Sequence, residues 1–119
     1  MELAVVSTTV NGEKGYLSFD RLAAESPFGK VSFFISGDKK SKPFDTSRFQ
    51  CPVEYLDAGV QARFNCSEFI GWNKIMRRNT ALLRAMETEP DFILMIDDDN
   101  IPDECYFKDW HRTLTSAVP

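Results

Sequence analysis

Apolar residues in this 119-residue chain fall in short runs, and the stretches between them follow a different period. LAVVSTTV, from Leu3 to Val10, is rich in β-branched residues and closes on the turn dipeptide Asn11-Gly12, which predicts a buried strand. Between Gly15 and Ser26, the positions of Tyr16, Phe19, Leu22 and Ala23 fit one helix face, and Ser26-Pro27 is a stop signal. KVSFFIS predicts a second strand ended by Gly37, GDKKSKPFDTSRFQ a polar loop, and VEYLDAG, from Val53, a weaker third strand. SEFIGWNKIMRRNTALLRAMETEP then predicts one long helix with Ser67 as its N-cap. Its apolar stripe runs through Phe69, Trp72, Ile75, Met76, Leu82, Leu83 and Met86, and it halts before Pro90. Phe92 to Ile96 reads as a fourth, buried strand, and the residues after Pro102 suffice for one further helix of ~12 residues.

Strand, helix, strand, loop, strand, helix, strand is the alternation of a parallel sheet with helices on both faces, an α/β Rossmann-like architecture. There is no internal repeat and no low-complexity tract, and 119 residues make one domain that buries roughly two thirds of its unfolded surface. In such sheets ligands bind at the carboxyl ends of the strands, where the topology switches.

Charge and cysteine content narrow the classes. Fourteen Lys and Arg against eighteen Asp and Glu give a net charge of −4, a field that does not draw in nucleic acid. Cys51, Cys66 and Cys105 are odd in number and lack zinc-site spacing, so free thiols are expected. No window has the basic flank and apolar run of a signal peptide or the ~18 apolar residues of a membrane helix. As written, the chain is expected to be soluble. Asn65-Cys66-Ser67 fits the glycosylation triplet, which matters only in a secretory compartment.

The chemistry concentrates in DFILMIDDDNIP, where Asp97, Asp98 and Asp99 follow the fourth apolar run directly. Three adjacent carboxylates repel one another, and a proton, cationic side chains or a divalent cation relieves the repulsion. If strand geometry continues, Asp97 and Asp99 share a side, and that oxygen pair suits Mg²⁺ or Mn²⁺ completed by substrate phosphates. The competing reading is a turn or the N-cap of the next helix, since Asn100, Pro102 and Asp103 are turn and cap residues, but three acids behind a five-residue apolar strand favour the metal. An EF-hand is excluded, because Pro102 occupies the position of its invariant Gly. Within the long helix Asn79 falls in the apolar stripe, Arg78 borders it, and Arg77 points away; a guanidinium at the stripe's edge can reach a carboxylate or phosphate.

ILMIDDDN resembles the Asp-x-Asp motif of nucleotide-sugar glycosyltransferases of the GT-A fold, and MRRNTALLRAM resembles the Arg-Asn helix that precedes it. The combination of SGDKK, RRNTALLRAM and IDDDNIP is most similar to the STELLO and reversibly glycosylated polypeptide families, from about Leu3 to Pro102. The resemblance implies strand order 3-2-1-4, the N-terminal half of a GT-A fold, and a nucleoside-diphosphate sugar as donor, a UDP-sugar first of all. It implies transfer to a saccharide or protein acceptor. It assigns Asp99 to the metal, Asp97 to the metal or ribose, and Asp98 to a sugar or supporting contact. Thr8, Thr9, Asp38 and Arg78 become nucleotide contacts, with Thr80-Ala81 departing from the commonest form of the helix motif. Only seventeen residues follow Pro102, so residues 1–119 are expected to form a nucleotide-sugar-binding domain without the acceptor half. A binding or regulatory domain without turnover is the alternative. A dehalogenase-like phosphatase, which carries its aspartates on the first strand, is disfavoured. Among weaker candidates, Asp57 reads as turn chemistry, Lys39, Lys40 and Lys42 as a solvated loop, and His111 as a half-buried or exposed helix residue.

Overall fold

The computed structural model describes residues 1–117 and shows a four-stranded, all-parallel sheet in the order β3-β2-β1-β4. The strands are β1 (Glu2–Thr8), β2 (Lys30–Ser36), β3 (Val53–Leu56) and β4 (Phe92–Met95). β1 is central, with Val5 opposite Phe33 of β2 on one side and Leu94 of β4 on the other. Alternate residues of β1 serve two cores, because side chains switch faces along a strand. Leu3 and Val5 join Tyr16, Phe19, Phe28, Phe33 and Phe107 on one face, whereas Ala4 and Val6 join Phe34, Ala81 and Ala85 on the other.

Helix α1 (Leu17–Ala24) follows a 3-10 turn at Glu13–Tyr16, and with α5 (Tyr106–Ala117) it covers the first face. The expected tail helix is therefore present, with Val118 and Pro119 outside the described residues. Asp57, expected to act in a turn, caps the short α2 (Ala58–Gln61) by accepting the Val60 N–H at 2.8 Å. No helix among the described residues is long and apolar enough to cross a membrane.

The long helix expected from Ser67 to Pro90 is broken. A single turn, α3 (Ser67–Ile70), ends at Gly71 with φ of 78°, Asn73 has φ of 57°, and α4 (Arg78–Glu87) starts only after a 3-10 turn at Ile75–Arg77. A left-handed glycine and asparagine are a backbone state that few other residues adopt, so the helix cannot pass through them. Ser67 is not the N-cap but the first residue of α3, with Cys66 before it.

The face that packs is also not the expected stripe. Arg77, Thr80, Ala81 and Ala85 are each 0 % exposed, whereas Phe69, Ile75, Met76 and Met86 are 55–91 % exposed. Small side chains let α4 sit close on Ala4, Val6 and Phe34, and its Leu83 and Met86 are left exposed, as are Phe69, Ile75 and Met76 before it. Asn79, expected within the buried stripe, is half-buried. β4 is likewise an edge strand and not a buried one, with Ile93 36 % and Met95 41 % exposed on the face that α4 covers only over β1 and β2.

The loop read as polar is anchored by aromatic stacking. Phe44 stacks on Tyr55 at 4.4 Å and Phe49 meets Phe33 edge-on at 5.7 Å. The buried Asp20 carboxylate accepts the Gln50 and Cys51 N–H groups, each at 2.9 Å, and Glu13 takes the Arg48 guanidinium at 2.5 Å and the Asp45 N–H at 2.8 Å. The three cysteines are free thiols.

Candidate functional site

The sheet order reverses between β1 and β4: the chain leaves β1 toward β2 and β3, then returns to the opposite side of β1. The acidic turn lies just past the carboxyl end of β4 at that junction, where Ile96 N–H donates to Val6 O at 3.1 Å and ends the ladder. Strand geometry does not continue through the aspartates. β4 stops at Met95, and Asp98 and Asp99 lie in a turn, so the period-two argument that put Asp97 and Asp99 on one side does not hold. Asp97 borders a cleft of about 330 Å³ with Phe19 and Tyr106, and Asp99 borders one of about 390 Å³ with Lys14 and Ser18; Asn100 and Ile101 border both.

Asp98 is the carboxylate tied to the fold. Its Oδ2 accepts the Thr9 hydroxyl in a short hydrogen bond and the Asn11 amide at 3.1 Å, so the end of β1 and the acidic turn form one crevice. Beneath them Ser7 Oγ donates to Ile96 O at 2.7 Å, and the Tyr16 hydroxyl lies 2.8 Å from Ser7 Oγ and 3.1 Å from Thr8 O. Burial first, and then the charges of Asp98 and Asp97, hold the Tyr16 phenol protonated far above its ordinary range. Tyr16 therefore works as a hydrogen-bonded strut.

The other expected nucleotide contacts gather only in part. Thr8 donates to Ser36 O at 2.9 Å, and Thr9 carries the link to Asp98. Asp38, 8 % exposed after β2, donates its N–H to Ser41 Oγ at 2.6 Å, and Ser41 in turn donates to Thr9 O at 3.1 Å. Thr8, Thr9, Asp38 and the acidic turn thus share one end of the sheet. Arg78 opens α4 at the same end, half-buried, and makes no ion pair among the described residues. The expectation that Arg77 points away is overturned: its side chain is the one turned inward. Its guanidinium donates to Gln61 Oε1 and to Ser67 O and Oγ.

Sequence reasoning missed Asn11, Lys14 and Ser18, which line the acidic cleft, and the Gln61-Ser67-Arg77-Thr80 network under the end of β2. In the sequence Asn11 reads only as half of its turn with Gly12. Gly15 was a usable signal: a Cβ there would lie 2.2 Å from the Asp98 carbonyl oxygen, so only glycine lets the first turn after β1 touch the acidic loop. We expect Gly15→Ala to force a backbone shift, lower stability by about 1–3 kcal/mol in urea denaturation, and move the Thr9 and Asp98 amide resonances. An unchanged midpoint and spectrum would show that the contact is not needed.

The donor chemistry suits a hard cation. Asp97 and Asp99 are exposed carboxylates outside any ion pair among the described residues, with the Asn100 amide between the two clefts. No group of three His, Cys, Asp or Glu side chains converges as a preformed cage among the described residues. One or two protein carboxylates completed by substrate phosphate and water is the arrangement Mg²⁺ accepts. No protein-family model matches this chain, and no curated protein matches it either.

Proposed function

We propose that this chain binds a nucleoside-diphosphate sugar across the carboxyl ends of β1, β2 and β4, as the donor-binding part of a metal-dependent glycosyltransferase. Asp97 and Asp99 would hold Mg²⁺ or Mn²⁺, which neutralises the diphosphate as it leaves the sugar. The observation that carries this reading is the Thr9-Asp98-Asn11 link. It joins an acidic turn to the end of the central strand at the topological switch point, the place where open parallel sheets bind ligands.

Around that crevice the residues supply complementary groups. Thr8, Thr9 and Asp38 offer hydroxyl and carboxylate contacts to a nucleoside. Lys14 and Arg78, at the same end of the sheet, offer the positive charge a diphosphate needs, with the Arg78 fork suited to two phosphate oxygens. Calorimetric titration with UDP and GDP, in Mn²⁺, in Mg²⁺ and in excess chelator, tests this. We expect one nucleotide to bind in metal and to lose at least tenfold in affinity with chelator. Equal affinity without metal, or no binding with it, would refute the reading.

A further inference from the structure

Between β3 and α4 the chain buries an arginine that forms no ion pair with any carboxylate among the described residues. That residue, Arg77, is 0 % exposed. A cation buried without its counter-charge is costly and persists only where hydrogen bonds are complete. Here they are. Nε and Nη2 donate to Gln61 Oε1 at 3.0 and 2.5 Å, Nη2 to Ser67 Oγ at 2.8 Å, and Nη1 to Ser67 O at 2.6 Å and Gly71 O at 3.4 Å. The guanidinium also lies over the Trp72 ring, 3.9 Å from its centroid.

These contacts hold a turn with one outward consequence. The left-handed Gly71 and Asn73 aim the Asn73 N–H at Asp38 Oδ2, where it donates a short hydrogen bond. The residue after Asp38, Lys39, places its ammonium 4.9 Å from the same Trp72 ring. The turn therefore grips Asp38 by its carboxylate and by its neighbour, 35 residues away in sequence. The two charges are also close enough to interact: Asp38 partly counters the lowering of the Arg77 pKa that burial causes.

We propose that Arg77, through Trp72 and the Asn73 N–H, is a positioning residue that fixes the Asp38 carboxylate for reading a nucleobase. With Oδ2 held, Oδ1 accepts no hydrogen bond among the described residues and is the acceptor left free to pair with a base. A fixed acceptor pairs with the ring N–H of uracil or guanine and is mismatched against adenine, whose ring nitrogen there is itself an acceptor. This inference rests on the nucleoside-diphosphate reading above, and the test separates the two.

Dissociation constants for UDP, GDP, ADP and inorganic pyrophosphate are measured in Mn²⁺ for the native chain, Trp72→Leu and Arg77→Lys, with amide exchange at Asn73 followed in each. We expect the native chain to prefer UDP or GDP over ADP at least tenfold. Both variants should lose at least fivefold of that preference, keep pyrophosphate affinity within twofold, and exchange the Asn73 amide faster. If Arg77→Lys does not fold, Trp72→Leu decides alone, since Trp72 is only half-buried. A preference retained in Trp72→Leu, unchanged Asn73 exchange, or a parallel fall in pyrophosphate affinity overturns the positioning role. A native chain that binds neither pyrophosphate nor nucleotide refutes the donor-site reading and this role with it. In that case faster Asn73 exchange in Trp72→Leu would mark the turn as a purely structural clamp.

Discussion

Arg77→Ala is expected to cost about 3–5 kcal/mol of folding stability, a large share of the ~5–15 kcal/mol that a domain of this kind holds. The truncation removes all five guanidinium hydrogen bonds at once and opens a cavity the size of a long side chain, since Arg77 is among the largest fully buried residues. Gln61 Oε1 keeps one donor, Thr80 Oγ1 at 2.9 Å, but Ser67 O and Gly71 O lose their guanidinium donors inside the fold. A buried acceptor left unpaired costs about 1–3 kcal/mol. The damage should spread, because Thr80 Oγ1 also meets Ser36 Oγ at 2.6 Å and the Gln61 amide nitrogen donates to Gly37 O at 2.7 Å, at the carboxyl end of β2. Arg78→Ala, one residue on, should stay within about 0.5 kcal/mol, as for most surface changes. Urea denaturation of the two variants provides the comparison. Equal losses would mean that Arg77 is not the pin described.

The contrast between these neighbours marks where the sequence was legible. The sheet was: β2 occupies the expected Lys30–Ser36, and the apolar, β-branched runs of β1 and β2 read clearly because a central parallel strand must be apolar on both faces, whereas β3 and β4 lie at the edges and the burial expected of β4 did not follow. Helix periodicity misled between Ser67 and Pro90, because counting large apolar residues chose the wrong face. The sheet selected Thr80, Ala81 and Ala85, whose small size allows close approach, and a charged residue, Arg77, became the largest fully buried side chain. Nothing in composition predicts that, since it depends on Gln61 and Ser67 arriving from an earlier segment to satisfy the guanidinium. The acidic turn was legible as a cluster but not in the division of its labour. The Thr9-Asp98 bond joins residues 89 apart, and no local pattern encodes a pairing at that separation.

That division predicts opposite outcomes for adjacent aspartates. Asp99→Asn should leave stability within about 0.5 kcal/mol, because Asp99 is exposed, lies in a turn and joins no ion pair among the described residues. It should nevertheless lower metal-dependent nucleoside diphosphate affinity by a hundredfold or more, since a neutral amide is a much poorer ligand for a hard divalent cation than a carboxylate. Asp98→Asn should do the reverse in stability. Its Oδ2 accepts from Thr9 and Asn11, and hydrogen bonds to a charged group contribute about 1.5–3 kcal/mol. The value for half-buried Asp98 should lie at the low end, because water screens part of the charge. Binding in Asp98→Asn should fall only as far as the loosened turn misplaces Asp97 and Asp99, so raising the Mn²⁺ concentration should restore part of it, whereas Asp99→Asn should not recover. Thermal denaturation and calorimetry on both proteins, over a range of Mn²⁺, give the four values required. If Asp99→Asn binds as the native chain does while Asp98→Asn loses binding beyond rescue, the cation belongs on Asp98, and the Thr9 contact would have to give way for it to bind.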